Sequence, residues 1–337
     1  MVKVKVLLLI LAGVGGLVAI VEVGLRFLFG FGNPLIYIAD AEIGYLLAPN
    51  QHTRRMGNRI TINEYSMRSA KIAIKRPKST LRVLLLGDSV ANGAWWTDQN
   101  QTISALMANQ LELILGEAAG KGSFFEQIEV LNASANSWGP RNELAYLQRF
   151  GTFEAQAVVL LINTDDLFAT APTSVPVGRD RNYPNHKPHF ALTEVFQRYL
   201  SPTPTVPEMQ AVYGEKGDRV GFNLEAIRQI KILTLAANTQ FLLAMTPLLR
   251  EMGEPGSRDY EVKARKRLTE FTQDQQITYL DFLGEFNDSQ TPAALYRDHI
   301  HLSPQGNQKV TEAITRSLQF FLPQLLSSAS TTPATPQ

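Results

Sequence analysis

Three residues far apart in the sequence could together perform nucleophilic catalysis. Ser89 ends the tripeptide Gly87-Asp88-Ser89, directly after an apolar run, and Asp298 precedes His301 by three positions. A serine nucleophile needs a general base, and imidazole has a suitable pKa. The imidazole needs a carboxylate that fixes its tautomer and stabilises its charged form. This spacing predicts that Asp298 and His301 meet in one tight turn and activate Ser89. The alternative is that Asp298 only caps a turn and His301 is a surface residue.

Short apolar runs that alternate with amphipathic segments would position these residues. Residues 81–86 are almost continuously apolar, as expected for a strand buried on both faces of a parallel sheet. Further strands are predicted at 128–131, 157–162, 241–245 and 277–280, and helices at 102–118, 142–150, 222–237, 258–272 and 305–320. This alternation indicates an α/β domain with a parallel sheet between helical layers. Ligands bind such sheets at the carboxyl ends of the strands, where Ser89 is expected.

A strand that ends in Gly-Asp-Ser, together with Asp-x-x-His-Leu-Ser-x-x-Gly over 298–306, resembles blocks I and V of the SGNH/GDSL hydrolase family. The resemblance covers roughly residues 81–322. It implies a three-layer α/β/α, flavodoxin-like fold with a short parallel sheet. It also implies Ser89 as nucleophile, His301 as base and Asp298 as the acid that orients the base. His299 lies outside the triad spacing of the family.

The middle blocks of the family, which supply the oxyanion hole, are altered in this sequence. Besides the backbone N–H of Ser89, we expect that of Ser137, which stands at the block II glycine, to be a donor. Asp165 stands at the block III asparagine, and because an ionised carboxylate cannot donate a hydrogen bond, it would serve the oxyanion hole only if it is protonated or reoriented. If the strand continues as far as Asp165, Asn163 lies one pleat earlier on the same face and is the alternative donor. With two backbone donors alone, we expect weak activity or a changed reaction, because one donor is worth about 10²–10³ in rate.

The N-terminal segment is predicted to span a membrane once. Residues 6–21 carry no charge, and the apolar character resumes after Glu22 up to residue 29, broken only by Arg26. Glu22 and Arg26 lie on one helix face and can pair near the membrane surface. Lys3 and Lys5 precede the span and place the N-terminus in the cytoplasm and the following domain outside it. A cleaved signal peptide is the alternative, although no small-x-small cleavage site follows the apolar run.

The chain is predicted to contain four regions. Residues 1–30 form the cytoplasmic N-terminus and transmembrane anchor, 31–80 an irregular linker with short extended pieces, 81–322 the SGNH hydrolase-like domain, and 323–337 a disordered tail. An insertion at about 170–210, rich in proline and polar residues, follows the third predicted strand. It could be a lid or substrate wall, or a solvated surface loop.

Composition excludes several other classes of function. The 32 basic and 31 acidic side chains give a net charge of +1, so we expect no nucleic-acid partner. The absence of cysteine excludes disulfides, thiol catalysis and metal sites built on cysteine. His186 and His189 are three apart, but no third ligand lies nearby in the sequence, so neither a metal nor another cofactor is expected.

The sequence therefore predicts a serine esterase that acts through an acyl-Ser89 intermediate. Its expected partners are a small-molecule or glycan ester and, through the N-terminal helix, a membrane. An acylated carbohydrate or lipid at the cell envelope is the expected substrate. Two alternatives stay open: an SGNH-type O-acyltransferase that modifies a polysaccharide, and a catalytically weak SGNH domain with a binding role.

Overall fold

A five-stranded parallel sheet forms the centre of the molecule, whose computed structural model describes residues 2–119, 125–202 and 204–330. The strands are β1 (Tyr37–Asp40), β2 (Gly44–Leu47), β3 (Gln51–Arg55), β4 (Asn58–Ile62), β5 (Thr80–Gly87), β6 (Gln127–Ser134), β7 (Ala157–Asn163), β8 (Gln240–Thr246) and β9 (Thr278–Asp281). The helices are α1 (Val2–Gly24), α2 (Ser89–Asn92), α3 (Ile103–Ala119), α4 (Pro140–Phe150), α5 (Ala191–Val195), α6 (Glu208–Tyr213), α7 (Arg219–Ala236), α8 (Asp259–Asp274), α9 (Phe282–Asn287) and α10 (Pro304–Ser330). The sheet has the order β6-β5-β7-β8-β9.

Helices cover both faces of this sheet. Strands β5 and β7 are buried along their whole length, as expected for strands in which apolar residues predominate. Successive side chains of a strand point to opposite faces, so Leu84 joins the core formed with α4, α7 and α8, whereas Leu85 joins the core formed with α3, α9 and α10. The three-layer α/β/α fold and the five strands predicted from the sequence are confirmed.

The segment before the sheet is part of the folded domain. Strand β1 pairs antiparallel with β2, and β3 pairs antiparallel with β4. Tyr37, Tyr45 and Ile60 of these hairpins are buried in the core on one face of the sheet. The short extended pieces predicted within residues 31–80 are present, but the description of this segment as a linker is wrong, because it packs in the core. Its apolar residues are spread over short strands separated by turns, so no continuous run reveals them in the sequence.

The C-terminal helix extends further than expected. Helix α10 continues to Ser330, so the prediction of a disordered tail from residue 323 is wrong as far as that residue. Once a helix has formed, each further residue adds one backbone hydrogen bond, which favours its continuation through residues such as leucine and alanine. The remaining part of the expected tail, residues 331–337, lies outside the described residues.

The N-terminal helix is long, apolar and exposed. Residues Val2–Phe29 form one helical stretch with a mean hydropathy of 2.7 in its most apolar window, none of which is buried. Within the described part of the chain this is the one helix whose length and composition would allow it to cross a membrane.

The end of this helix is attached to the insertion. Glu22 accepts hydrogen bonds from the backbone N–H groups of Ala191 and Leu192, at 2.7 and 3.0 Å, at the start of α5. Arg26 pairs with Glu22 at 2.6 Å and also donates to the carbonyl oxygen of His189 at 2.6 Å. These contacts fix the position of the last turns of the helix relative to the domain.

Arg68, just after the second hairpin, supports the loop that follows Ser89. Its guanidinium donates to the carbonyl oxygens of Asn92, Ala94 and Thr97, each at 2.5 Å. Burial lowers the pKa of Arg68 to about 10, although Asp98 opposes this shift, so the side chain is a cation at neutral pH. Charge-assisted hydrogen bonds of this kind are stronger than neutral ones.

We expect Arg68→Met to lower the free energy of unfolding by about 3 kcal/mol or more, because three buried carbonyl groups lose their donor. Urea denaturation in detergent solution measures this change. The matched control is Arg228→Met, which removes an exposed pair with Glu225 and should change stability by about 0.5 kcal/mol or less. A loss below about 1 kcal/mol for Arg68→Met would show that the loop does not depend on this side chain.

Candidate active site

Ser89 is the first residue of the short helix α2, which follows the carboxyl end of strand β5. Strand β5 ends at Gly87, where a Cβ atom would lie 2.6 Å from the carbonyl oxygen of Leu161 and 2.8 Å from Ala91 Cβ. Asp88 caps helix α2, since its Oδ1 accepts a hydrogen bond from Val90 N–H at 2.8 Å. The glycine allows the close approach of β7, and the cap fixes the turn that presents the serine hydroxyl.

His301 connects Ser89 with Asp298. The Nε2 atom of His301 lies 2.9 Å from Ser89 Oγ, and its Nδ1 lies 2.8 Å from Asp298 Oδ2. The turn that holds the histidine is closed by a hydrogen bond from Arg297 N–H to the carbonyl oxygen of His301, 2.8 Å long. The three residues that the sequence spacing singled out therefore form one continuous chain of hydrogen-bonded side chains.

The environment of Asp298 keeps this carboxyl group ionised. Burial alone would raise its pKa, but the backbone N–H groups of His301 and Ile300 and the imidazole lower it below the usual range. The two N–H groups donate to Asp298 Oδ1 at 2.8 and 3.0 Å. An ionised Asp298 holds the proton of His301 on Nδ1, which leaves the lone pair of Nε2 free to accept the proton of Ser89.

A second group of acids is buried behind the serine. Asn163 donates its side-chain N–H groups to Asp88 Oδ2 and Asp166 Oδ2, at 2.9 Å each, and its backbone N–H to Asp166 at 2.8 Å. Burial raises the pKa of Asp166 well above its usual range, and the neighbouring Asp88 and Glu143 raise it further. Asp88 and Asp166 both accept a hydrogen bond from Asn163, and we assign Asp166 as the neutral one of these two acids.

A cavity of about 320 Å³ opens beside Ser89 and His301. Ser89 and His301 lie on its wall together with side chains from two other parts of the chain. The hairpin segment contributes Tyr37 and Arg55, among others, and the insertion contributes Tyr183, Arg198 and Tyr199. The insertion is thus a wall of the cavity, which decides between the two structural roles left open by the sequence.

Two tryptophans line the cavity beside the histidine. The ring of Trp96 lies edge-to-face on that of His301 with centroids 4.5 Å apart, and Trp95 lies 5.5 Å from Trp96. The guanidinium of Arg297 lies 5.1 Å from the Trp96 ring. These contacts hold the imidazole and form an apolar surface next to Ser89.

Ser137 is well placed to act as a backbone donor. It lines the same cavity and has φ of +57°, a left-handed conformation that a glycine adopts at little cost. Its hydroxyl oxygen accepts a hydrogen bond from Tyr183 OH at 2.9 Å. Its N–H makes no hydrogen bond to any of the residues that the structure describes. Ser137 thus combines a backbone conformation that suits glycine with an N–H that is free among the described residues.

The other two expected oxyanion donors lie elsewhere. Asn163 is buried, and its amide hydrogens are taken by the two acids behind Ser89. Asp165 is half exposed, with Oδ1 3.9 Å from Arg250 Nη2. Neither residue lines the cavity. Strand β7 ends at Asn163, whose Oδ1 caps the following turn by accepting from Asp165 N–H at 2.8 Å, so the assumed continuation of the strand is wrong.

The sequence did not single out Asn136, which lines the cavity next to Ser137. Its side-chain oxygen is buried without a hydrogen-bond partner among the described residues, and its carbonyl oxygen accepts from Tyr45 OH at 2.5 Å. Its position directly before Ser137 in the block II segment was the signal that could have found it. His299, by contrast, has a side chain 82% exposed, 3.9 Å from Asp298, and does not line the cavity.

A sequence model of the GDSL-like lipase/acylhydrolase family matches residues 85–309. No curated protein matches the chain. Among solved structures, the acetylxylan esterase Axe2 from Geobacillus stearothermophilus is 15% identical, with a TM-score of 0.47, and the alignment covers 72% of this chain and 96% of that chain. A putative GDSL-like lipase from Parabacteroides merdae is also 15% identical, with a TM-score of 0.47, over 74% of this chain and 99% of that chain.

We expect Asp298→Asn to lower kcat for ester hydrolysis by about 10²–10⁴, because the amide can neither stabilise a charged imidazole nor reliably hold its tautomer. Steady-state kinetics with 4-nitrophenyl acetate measures this effect. His299→Asn is the matched control, since it alters the exposed neighbour, and its kcat should stay within about threefold of the unchanged protein. A kcat for Asp298→Asn within that same range would contradict a role for Asp298.

Proposed function

Since the chain belongs to the GDSL-like lipase/acylhydrolase family, we propose that it is a serine esterase that forms an acyl-Ser89 intermediate. The observation that carries this proposal is the hydrogen-bonded chain from Ser89 Oγ through His301 to Asp298. A nucleophile, a general base and an orienting carboxylate are the groups that acyl transfer through serine requires.

In the proposed reaction, Ser89 Oγ attacks the carbonyl carbon of the ester while His301 Nε2 takes the hydroxyl proton. Asp298 stabilises the resulting imidazolium, and the N–H groups of Ser89 and Ser137 stabilise the oxyanion. The ester C–O bond then breaks, and His301 gives its proton to the leaving alcohol. Water attacks the acyl-serine with His301 again as base, which releases the carboxylic acid and restores Ser89.

This oxyanion hole contains two backbone donors and lacks the side-chain donor of the family pattern. Asn163 is engaged by the buried acids, and Asp165 is half exposed beside Arg250. Because one donor is worth about 10²–10³ in kcat, we expect slow turnover of simple esters. We propose the side-chain amide of Asn136, which also lines the cavity, as a third donor once substrate is bound.

We propose an acylated carbohydrate as the substrate. The cavity presents the aromatic surfaces of Trp95 and Trp96 beside polar groups of Asn136, Ser137 and Tyr183. Sugars offer both apolar C–H faces, which pack on aromatic rings, and hydroxyl groups, which need hydrogen-bond partners. A cavity with both kinds of surface suits a sugar ester better than it suits a purely apolar acyl chain.

We expect the full-length protein to release acetate from acetylated xylooligosaccharides and from 4-nitrophenyl acetate, and Ser89→Ala to release none above background. Ser289→Ala, which changes a serine outside the cavity in the turn after α9, is the control that should retain activity. The same assay with unacetylated oligosaccharide added tests for transfer to a glycan hydroxyl. If acetylated oligosaccharide forms in place of free acetate, the protein is an O-acyltransferase and not a hydrolase. If no ester is turned over, both functions are contradicted.

We further propose that helix α1 remains on the mature protein as a single membrane anchor, with the catalytic domain outside the cytoplasm. Lys3 and Lys5 before the span favour this orientation. Glu22 and Arg26 bond to the insertion, so the end of the helix belongs to the folded domain and its removal would break these contacts. Apolar side chains exposed around this junction suit the membrane surface; they are Phe27, Leu28, Phe190, Phe196 and Leu200.

We expect the protein to sediment with membranes, to resist extraction by high salt, and to be released by detergent. Intact-mass spectrometry of the purified protein should show a chain that still contains residues 2–29. Protease added to cells whose cytoplasmic membrane is intact, but from which any outer membrane or wall has been removed, should digest the catalytic domain. A mature chain that begins after residue 20 would support the signal-peptide alternative, and protection from external protease would contradict the proposed orientation.

A further inference from the structure

The cavity that holds Ser89 also contains a buried cation with an unused donor. Arg55, at the end of β3, is 7% exposed and lines the cavity. Its Nη2 forms an ion pair with Glu194, and its guanidinium lies 4.4 Å from the ring of Phe31. Its Nη1 is buried and has no hydrogen-bond partner among the described residues. Leaving a charged donor buried without an acceptor is costly, so a ligand that supplies the acceptor would stabilise this arrangement.

A second arginine lines the same cavity from the insertion. Arg198 is largely buried, and its Nε lies 3.9 Å from Glu194 Oε1. Burial lowers its pKa, Glu194 opposes this shift, and the nearby Arg55 lowers the pKa further. Its remaining bonds are long, at 3.4 Å to Asn182 Oδ1 and 3.3 Å to the carbonyl oxygen of Arg181. Two like charges thus share one wall of the cavity.

One carboxylate does not balance these two cations. Glu194 is buried and also accepts a hydrogen bond from Gly32 N–H at 2.6 Å, so its oxygens are shared among several donors. The wall formed by Arg55, Arg198 and Glu194 therefore carries one net positive charge. In a partly dry cavity, that charge attracts an anion more strongly than it would in water.

We propose that the ester substrate carries an anionic group, a carboxylate or a phosphate, that binds Arg55 and Arg198 while the ester lies at Ser89. This inference rests on the proposed esterase function and names its substrate class. Both arginines and Ser89 line one cavity of about 320 Å³, so anion and ester belong to the same or adjacent units of the substrate. An O-acetylated uronic acid has this chemistry, since its carboxylate and its acetyl ester lie on one sugar ring.

The test compares two substrates that differ by one charge, acetylated glucuronate and acetylated glucuronamide. We expect the protein to favour the glucuronate by about 10–100-fold in kcat/KM, as one or two charge-assisted hydrogen bonds would provide. Arg198→Gln should reduce this preference to less than about threefold, mainly through KM. Arg228→Gln, which removes an exposed arginine outside the cavity, should leave the preference unchanged.

Binding to Ser89→Ala, measured by calorimetry, tests the anion site without catalysis. This variant should bind acetylated glucuronate more tightly than acetylated glucuronamide, and inorganic phosphate should compete. If neither compound is hydrolysed but the binding preference is found, the proposed esterase function fails and the anion site stands. Equal binding of the two compounds, or an Arg198→Gln variant that loses activity on both by the same factor, would overturn the inference and assign the arginines a structural role only.

Discussion

The hydrogen bond between Ser89 Oγ and His301 Nε2, 2.9 Å long, joins residues 212 positions apart and depends on how closely the domain packs at one edge of its sheet. Gly87 permits strand β5 to approach β7, as described above. Gly306 plays the same role on the histidine side, because a Cβ there would lie 2.1 Å from the carbonyl oxygen of Leu295. Neither end could accept a larger residue without moving the serine or the histidine.

The charges around the serine are arranged on two sides. Behind it lie three buried acids, and burial raises the pKa of Glu143 and of Asp166 well above the usual range. Burial also raises the pKa of Asp88, so the whole group is shifted towards its neutral form, which limits the repulsion between buried charge and a developing oxyanion. In front of it, the wall that contains Arg55 and Arg198 is positive. The site is therefore electrostatically suited to negative charge that enters from the cavity side.

Sequence reasoning predicted the parts of the site that depend on local spacing. Asp298 and His301 meet inside one turn, and Ser89 follows a strand whose apolar run is unmistakable. Asn163 and Arg55 could not be placed in this way. The role of Asn163 depends on where the strand stops and on acids that reach it from other segments, and Arg55 enters the cavity only because the hairpins pack against the sheet. Contacts between distant segments leave no periodic signal in the sequence.

The account depends on a serine hydroxyl that His301 makes nucleophilic, and covalent capture of that serine tests it most directly. The full-length protein is incubated with a fluorophosphonate probe, digested, and mapped by mass spectrometry. We expect the probe on the peptide that contains Ser89, with labelling slowed at least about 100-fold by His301→Ala. An unlabelled Ser89 in folded protein, or equal labelling without the imidazole, would contradict the account.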